Sequence, residues 1–395
     1  MFGVMRGWLK RRLVSLFNLT AFRLIGLWPR SHHRWVFGDD GGHFAGNPKY
    51  LFLWMSIYHP EIHISWLTRK ESTRQLLRAN GYRAYRFWTV AGSLAALRAK
   101  VFVSGHCLAA VHKRMSKGAF FVNLWHGVGL KAAGYSYQGA GRGRFESANR
   151  APPPDVFVST SDFTQQHFTS QYRLPDETCP QLGYPRLDCA FDPTLAALCR
   201  AIDQTIGFQF NPGGFAETYI YLPTFRDSNR PFLEEALPDL AQLSEALAAR
   251  NALLYIKPHP NTDTADLSSF DNVRAWPREV DFNTYLGDFT GLITDYSSVL
   301  YDYILVRDEG AILYVFDIDE YMSKDRSLSY PFEENVAGLR VRTFQGLCEA
   351  LRNGTALGDG QRAEILQIRE KFWGGSARPA SPAVFGHVEQ RLKQS

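Results

Sequence analysis

The chain has 395 residues, of which 45% are hydrophobic and 14% aromatic, which is enough for a large core in two domains or in one large domain. Its formal net charge of +5 is mild, and no Lys/Arg block alternates with aromatic residues, which argues against a nucleic-acid partner. The five cysteines include no Cys-x-x-Cys pair. Neither a disulfide framework nor a zinc site is therefore expected, and a reducing compartment fits best.

The first predicted element is an amphipathic helix within residues 1–30. Its uncharged run, 13–22, is shorter than the roughly 18 residues of a spanning helix, and it lacks an Ala-x-Ala cleavage site. The basic residues that lead the segment are Arg6, Lys10, Arg11 and Arg12, and the residues that share one helical face are Leu9, Leu13, Leu16, Thr20, Leu24 and Leu27. This pattern is typical of a helix on an anionic membrane surface, and equally of one packed on its own domain.

Short β-rich runs then alternate with helical stretches, which predicts an α/β fold with parallel sheets. The predicted strands are HRWVFG, IHISWL, KVFVSG, AFFVNLW, DVFVSTS, TYIYLPT, ALLYIKP, GLITDYS and AILYVFD. Helices are predicted over 48–58, 194–206 and 233–250. The breaker FNPGGF suggests two domains, 31–205 and 206–375, followed by a C-terminal tail or helix over 376–395. Two such domains would face each other across a cleft at the carboxyl ends of their strands.

The first motif that could carry chemistry is WHGVGLK. The strand-like run FFV leads through Asn123, Leu124 and Trp125 to His126, and Gly127 and Gly129 permit a ligand to approach the backbone closely. A single histidine beside an apolar run is more often a structural core residue than a catalyst. The two glycines are not a dinucleotide fingerprint, because Ala132 stands where the third glycine would be.

Two further polar breaks follow predicted strands in the second half. In YIYLPTFRD, Pro223 ends the strand, and Thr224 and Arg226 come directly after it. In LLYIKPHP, Lys257 and His259 alternate with prolines, which hold the histidine in stiff, extended backbone.

The segment GLITDYSSVLYDY predicts a strand that leads into the start of a buried helix. Asp295, Ser297 and Ser298 are residue types that favour a helix N-cap. Such a helix start presents backbone N–H groups and the positive end of the dipole, which suits a phosphate group. Plain helix capping by Asp295 or Ser297 is the simpler alternative.

Together these segments predict a cleft that binds a diphosphate and holds a base within reach. The remaining histidines lack this setting or, like His106 in VFVSGHC, show it weakly, and structural roles are predicted for them. They are His32, His33, His43, His59, His63, His106, His112, His167 and His387.

The motifs taken in order resemble those of the CDP-glycerol glycerophosphotransferase family of teichoic-acid and capsule enzymes. WHGVGLK is similar to the family's Trp-His-Gly-Thr-Pro-Leu-Lys, and LGYPRLD, with Arg186 and Asp188, to its Gly-x-Pro-Arg-x-Asp. YLPTFRD, KPHP and ITDYSSVLYDY are similar to its Pro-Thr-x-Arg-Asp, Lys-x-His-Pro and Thr-Asp-Tyr-Ser-Ser motifs. The opening WVFGDDGGHFAGNPKYLF also resembles the family's start, so the likeness extends from about Trp35 to Leu351.

The resemblance implies a GT-B-like fold of two Rossmann-like domains. It also implies transfer of glycerol or ribitol phosphate from a CDP-alditol to a hydroxyl of a lipid-linked or polymeric acceptor, with release of CMP. The place implied is the cytoplasmic face of the membrane. The N-terminal domain would be the acceptor side and the C-terminal domain would bind the CDP-alditol. No cofactor is expected besides the donor substrate, and metal dependence is left open.

The resemblance also assigns roles to individual residues. His126 would be the general base, because an acceptor hydroxyl must lose its proton as it attacks. The leaving charge would be stabilised by His259, Arg226 and the N–H groups at Ser297 and Ser298. The donor-binding set is Thr224, Arg226, Lys257, Asp295, Ser297 and Ser298. The supporting set is Gly127, Lys131, Arg186 and Asp188.

One departure from the family pattern is Val128-Gly129, where the family usually has Thr-Pro. This loop is expected to be more flexible, and the glycine-rich stretch after it is expected to be a mobile loop over the cleft. Two other functions stay open: a GT-B glycosyltransferase that uses a nucleotide sugar, and a non-catalytic protein that binds a membrane surface or polymer. The short N-terminal region favours a primase or compact single-module transferase over a full polymerase.

Overall fold

The computed structural model describes residues 25–131, 152–224, 226, 228, 232–257, 267, 269–325, 327–376 and 378–394. It divides the chain into two compact units. Of the described residues, those within Met1–His126, Ala151–Val158 and Ser381–Ser395 form the first unit. Those within Gly127–Arg150 and Ser159–Ala380 form the second unit. Most of the predicted N-terminal helix and the glycine-rich stretch after Lys131 lie outside the described residues.

The first unit is built on a parallel sheet of six strands within its described residues, in the order β3-β2-β1-β4-β5-β6. Its strands are β1 (Ser31–Gly38), β2 (His63–Thr68), β3 (Ala84–Arg86), β4 (Ala99–Ser104), β5 (Phe120–Asn123) and β6 (Val156–Phe157). The strand order reverses between β1 and β4, which is the position where open parallel sheets bind ligands at their carboxyl edge.

The second unit repeats this plan, with six parallel strands in its described residues in the order β12-β11-β10-β7-β8-β9. Its strands are β7 (Glu217–Leu222), β8 (Ala252–Ile256), β9 (Val273–Ala275), β10 (Gly291–Thr294), β11 (Ala311–Tyr314) and β12 (Leu339–Val341). The order reverses between β7 and β10, whose last residues, Leu222 and Thr294, are paired in register.

Helices connect the strands of both sheets. The α-helices are α1 (Gly46–Tyr58), α2 (Glu71–Ala79), α3 (Val90–Arg98), α4 (Asp162–Tyr172), α5 (Pro193–Thr205), α6 (Leu233–Ala236), α7 (Leu240–Ala248), α8 (Val299–Val306), α9 (Ile318–Lys324), α10 (Phe344–Asn353), α11 (Asp359–Trp373) and α12 (Ala380–Gln394). Short 3-10 helices are Asp40–Gly42, Leu108–Val111, Lys113–Met115, Asp176–Thr178, Pro185–Ala190 and Phe282–Asp288. Among the described helices, none has the length and hydrophobicity needed to cross a bilayer.

Both sheets are buried on their two faces, which explains why their central strands are continuous apolar runs. In β1, Val36 packs in a core cluster with Leu67 and Phe102 on one face. On the other face, the Trp35 ring lies 5.7 Å from the Phe385 ring of α12. The predicted C-terminal helix therefore packs within the first unit.

The predicted helix over 233–250 is broken into α6 and α7. Pro238 lies between the two helices, where it cannot donate a backbone hydrogen bond. Asp239 then caps α7, because its carboxylate accepts a hydrogen bond from the backbone N–H of Gln242 at 2.9 Å. The sequence run is apolar on both sides of this break, and the pattern therefore suggested one helix.

The predicted domain boundary separates the two sheets, but the compact units assign residues 159–205 to the second unit. Two hydroxyl groups explain part of this difference. The Thr160 hydroxyl donates to the Phe372 carbonyl at 2.6 Å, and the Ser161 hydroxyl donates to the Lys371 carbonyl at 2.7 Å. These bonds tie the start of α4 to the end of α11, although α4 follows the first sheet in the chain.

Candidate active site

His126 lies just beyond the carboxyl end of β5, with its side chain exposed. Its Nδ1 atom is 3.2 Å from the carbonyl oxygen of Gly105, which follows the neighbouring strand β4. A carbonyl oxygen only accepts, so this contact requires the proton on Nδ1 and leaves the basic lone pair on Nε2. That tautomer is the one in which Nε2 can accept a proton from a substrate hydroxyl.

Two asparagine side chains hold the chain leading to His126. Asn123, the last residue of β5, accepts from the backbone N–H of Trp125 at 2.9 Å. Asn47, in α1, donates to the carbonyls of Leu124 and Trp125 at 3.1 and 2.9 Å. Trp125 has a φ of 54°, a left-handed conformation that a non-glycine residue adopts only when its surroundings stabilise it. Contacts within the first unit therefore fix the position of His126.

His106 was predicted to be structural, but it lies beside His126. The two imidazole rings are parallel, with centroids 5.0 Å apart and 8° between the planes. The register explains this, because Ser104 at the end of β4 pairs with Asn123 at the end of β5. The sequence signal was the polar break after VFVS, which matches the break after the next strand along the chain.

The residues after His126 belong to the second unit and are held there by hydrogen bonds to their backbone. Val128 and Leu130 are buried, which differs from the flexible loop that the Val-Gly pair suggested. The bonds to this backbone are Tyr184 hydroxyl to Gly127 carbonyl at 2.8 Å, Tyr330 hydroxyl to Val128 carbonyl at 3.2 Å, and Ser329 N–H to Leu130 carbonyl at 2.8 Å. We refer to Gly127–Lys131 as the strap segment.

Gly129 occupies a conformation that its family counterpart, proline, cannot adopt. Its φ is 82°, whereas the proline ring fixes φ near −65°. A Cβ at this position would lie 2.8 Å from the His167 ring and 3.0 Å from Phe168. Burial lowers the pKa of His167 to about 4, with the hydrogen bond to the Gly129 backbone opposing the shift. The strap segment therefore depends on glycine here.

Arg226 is fully buried in the second unit, where two carboxylates bind it. Its guanidinium contacts Asp295 at 2.9 Å and Asp317 at 2.8 Å. Although burial opposes it, the charges of Asp295 and Asp317 raise the pKa of Arg226. Asp295 also accepts from the backbone N–H of Thr224 at 2.9 Å. Arg226 and Asp295 have no exposed surface, so we assign them to holding the loops after β7 and β10, and their contact with the donor stays a prediction.

Thr224 and the two serines are better placed for a ligand. The Thr224 hydroxyl is buried and has no hydrogen-bond partner among the described residues. Ser297 and Ser298 are half-buried at the start of α8, and the Ser298 side chain makes no capping hydrogen bond. A Cβ on Gly127 would lie 2.8 Å from the Ser298 hydroxyl, so the strap segment lies against the start of this helix. Glycine at 127 is what permits this approach.

The remaining predicted residues have identified partners. Arg186 forms a buried ion pair with Asp302 of α8 at 2.6 Å, and the Asp302 charge raises the pKa of Arg186 against the effect of burial. Asp188 accepts from the backbone N–H of Ala380 at 2.7 Å. Both contacts stabilise the local fold, and the supporting roles of the two residues in the reaction stay a prediction.

The two lysines of the predicted site also contact other residues. Lys257 follows β8, and its ammonium donates to the carbonyls of Pro277 and Val280 at 3.0 and 3.1 Å. Burial lowers its pKa to about 8. Lys131 pairs with Leu328 in an isolated antiparallel bridge, and its ammonium lies 5.9 Å from the centre of the Tyr321 ring. His259 lies outside the described residues, so its role stays a prediction.

Comparison with known proteins identifies the family to which this chain belongs. The family model described as CDP-Glycerol:Poly(glycerophosphate) glycerophosphotransferase matches residues 22–388. The chain is 29% identical over 245 residues to the teichoic acid ribitol-phosphate polymerase TarK of Staphylococcus aureus, covering 59% of this chain and 45% of TarK. It is 24% identical over 389 residues to the teichoic acid poly(glycerol phosphate) polymerase of Staphylococcus epidermidis, covering 91% of this chain and 51% of that protein. The chain thus spans about half the length of these curated relatives.

A solved structure of the wall teichoic acid polymerase TagF, of a variant soaked with CDPG, matches the fold with a TM-score of 0.77 at 20% identity. The match covers 100% of this chain and 99% of the TagF chain. It confirms the predicted fold class, α/β and GT-B-like. Because the family model matches nearly the whole chain, the protein belongs to the CDP-glycerol:poly(glycerophosphate) glycerophosphotransferase family.

Proposed function

We propose that this chain transfers an alditol phosphate from CDP-glycerol or CDP-ribitol to a hydroxyl group of a lipid-linked or polymeric acceptor, releasing CMP. Family membership supports the reaction class. The observation that carries the proposal is the contact between His126 Nδ1 and the Gly105 carbonyl, because it sets the tautomer that a general base needs. The polymers named for the relatives indicate a teichoic-acid-like product.

The chemical step transfers one phosphoryl group. The acceptor oxygen forms a bond to the β-phosphorus of the CDP-alditol, while the bond from that phosphorus to the bridging oxygen breaks. The acceptor proton passes to Nε2 of His126, and the bridging oxygen leaves with CMP. The result is a phosphodiester between the alditol and the acceptor.

On the donor side, we assign the diphosphate to the start of α8 in the second unit. Ser297 and Ser298 supply hydroxyl groups there, and the helix dipole favours negative charge. The Thr224 hydroxyl, buried without a partner among the described residues, is a further donor. Arg226 and Asp295 act indirectly, by fixing the loops that carry Thr224 and the serines.

We also propose that the first unit works at an anionic membrane surface. Within the first unit, residues 72–126 contain no Asp or Glu, although they contain many Lys and Arg residues. Trp88 and Val90 are 63% and 77% exposed, and the Arg114 guanidinium lies 5.3 Å from the centre of the Trp88 ring. Exposed aromatic and aliphatic side chains among basic ones suit the headgroup layer of such a membrane.

The reaction is tested by incubating the protein with each CDP-alditol and a lipid-linked or oligomeric acceptor, and measuring CMP. We expect acceptor-dependent CMP release by the wild type. His126→Ala should lose about 10²- to 10⁴-fold in turnover while binding the donor as before, because a general base contributes about that much. His63→Gln is the matched control. His63 is the first residue of β2 and so lies at the amino ends of the strands of the same sheet, whereas His126 follows the carboxyl end of β5.

Two results would contradict the proposal. Release of UDP or GDP from a nucleotide sugar, with no CMP from either CDP-alditol, would indicate the glycosyltransferase alternative. Full turnover by His126→Ala would remove His126 as the base while leaving the reaction class intact.

A further inference from the structure

The loops that follow β4 and β5 are joined by one side chain. The amide of Asn123 accepts from the backbone N–H of Trp125 and donates to the carbonyl of His106 at 2.7 Å. The backbone N–H of His106 in turn donates to the Ser104 hydroxyl at 3.1 Å. His106 is therefore fixed by two hydrogen bonds on its own backbone, although its side chain is exposed.

The His126 imidazole has aromatic neighbours on the same loops. The Trp125 ring centroid is 4.1 Å away, and the His106 ring lies parallel at 5.0 Å. The Gly105 carbonyl binds Nδ1 from the residue directly before His106. One short segment, Gly105-His106, thus contacts His126 through both a hydrogen bond and a ring face.

We propose that His106 is a positioning residue for His126: its parallel ring, 5.0 Å away, fixes the orientation of the base, and at this distance the two rings influence each other's protonation. This inference rests on the proposed function. It goes beyond the motif WHGVGLK, because His106 lies on a different strand. His106 acts through His126, and no contact of its own with the substrate is required.

The two rings lie close enough for the charge of one to affect the protonation of the other. Two imidazolium rings 5.0 Å apart repel each other, so protonation of one lowers the affinity of the other for a proton. The groups that face His106 are Cys107 on its own loop and Asp39 and Asp40 after β1. A hydrogen bond with Cys107 raises the pKa of His106, burial opposes it, and the charges of Cys107, Asp40 and Asp39 raise it further.

The position of the Asp39 carboxylate follows from its distance to the backbone of Gly105, the residue before His106. A Cβ on Gly105 would lie 3.0 Å from the Asp39 carboxylate, so this carboxylate lies against the same segment. Although burial opposes it, the hydrogen bond with His106 lowers the pKa of Cys107. Cys107 and the carboxylates after β1 therefore face the His106 ring of the pair.

Two variants distinguish the effect of the His106 ring from the effect of its charge. His106→Phe keeps a flat ring beside His126 and removes the charge, and His106→Ala removes both. The first readout is the titration of the His126 ring by NMR of histidine-labelled protein without substrate, with His126→Gln used to assign the signal. The second readout is the pH dependence of CMP release, with kcat and the donor KM measured separately.

We expect the His126 pKa to rise by about one pH unit in His106→Phe, because a charge at this distance is removed. The acid limb of the rate profile should move by the same amount, while kcat at high pH is kept. His106→Ala should also lose about tenfold in kcat at the optimum, with the donor KM unchanged, because the base is no longer oriented. His63→Gln should leave both readouts unchanged.

The inference is overturned if His126 titrates alike in the wild type and His106→Phe, or if His106→Ala keeps full kcat. Lower thermal stability with an unchanged titration would show a structural role only, and would also overturn it. If the wild type releases no CMP, the proposed function fails, and the NMR titration still decides whether His106 controls the protonation of His126.

Discussion

Arg226 has a stabilising role that depends on its two carboxylate partners. All three side chains are buried, and Tyr296 donates from its hydroxyl to Asp317 at 3.2 Å. A buried ion pair is costly to desolvate, so its net contribution is modest, but removal of one partner leaves an uncompensated charge. We therefore expect the loss of Arg226 to lower the stability of the folded protein.

We expect Arg226→Met to lower the free energy of unfolding by about 3 to 5 kcal/mol, because Asp295 and Asp317 would keep buried charge without a cation. Urea denaturation measures this change. Arg362→Met is the control, since Arg362 pairs with Glu309 at the surface and such pairs contribute about 0 to 1 kcal/mol. Equal effects of the two substitutions would contradict the buried role of Arg226.

The strap segment is the element whose structure the local sequence predicted least well. Its two glycines by themselves suggest mobility. Instead, hydroxyl and amide donors distant in sequence bind three of its carbonyls, and Val128 is buried. The family's proline would fix φ locally, whereas here the positive φ of Gly129 and the neighbouring packing do so.

Gly129→Ala should destabilise the protein by about 1 to 3 kcal/mol, because alanine is strained at a φ of 82° and its Cβ would collide with the His167 ring. Thermal unfolding measures the change. Gly360→Ala is a matched control in α11, where nothing lies within 4 Å of the new Cβ. That change should raise stability by about 0.5 to 1 kcal/mol, and a Gly129→Ala protein as stable as the wild type would contradict the proposed packing.

His167 makes the strap segment sensitive to acid. Its pKa is about 4 in the folded protein against an ordinary 6.5, so the unfolded chain binds more protons between these values. Stability from this group is complete above pH 6.5 and is lost as the pH falls toward 4. We expect the difference in unfolding free energy between wild type and His167→Gln to fall by about 2 to 3 kcal/mol over this window. A constant difference from pH 7 to pH 4 would refute it.

At the scale of the molecule, charge is distributed unevenly along the chain. The first acidic residue is Asp39, and after Glu71 the next is Glu146. Most of the first unit is therefore built from sequence with few carboxylates, although the net charge of the whole chain is only +5. Such an imbalance favours attraction of the first unit to an anionic surface.

We expect the protein to bind vesicles that contain anionic lipid, and binding to weaken as the salt concentration rises, because basic residues contribute electrostatically. Replacing Trp88 and Val90 by serine should weaken binding about tenfold, since two exposed apolar side chains no longer enter the headgroup layer. Leu366→Ser is the control, an apolar residue in α11 that is 51% exposed. Co-sedimentation measures this, and unchanged binding by the double variant would argue against this surface.

Sequence alone determined the α/β class, because nine long apolar runs alternate with helical stretches. The three strands it missed, β3, β9 and β12, have three residues each and lie at sheet edges. Edge strands are buried less and pair on one side, so they show no continuous apolar run. The motifs also marked the carboxyl ends of strands, because a buried strand must change to polar residues where it leaves the core.

The contacts of each of these residues depend on the tertiary structure. The pairing of Ser104 with Asn123 brings His106 beside His126, and the pairing of Leu222 with Thr294 brings Thr224 beside Asp295. The first pairing joins consecutive strands and the second joins strands with two others between them in the chain, so the local sequence specifies neither contact. Burial likewise separated Arg226, enclosed by two carboxylates, from the half-buried Ser298, although both follow a strand in a polar motif. Local sequence sets which residues end a strand, and the register between strands sets which of those residues meet.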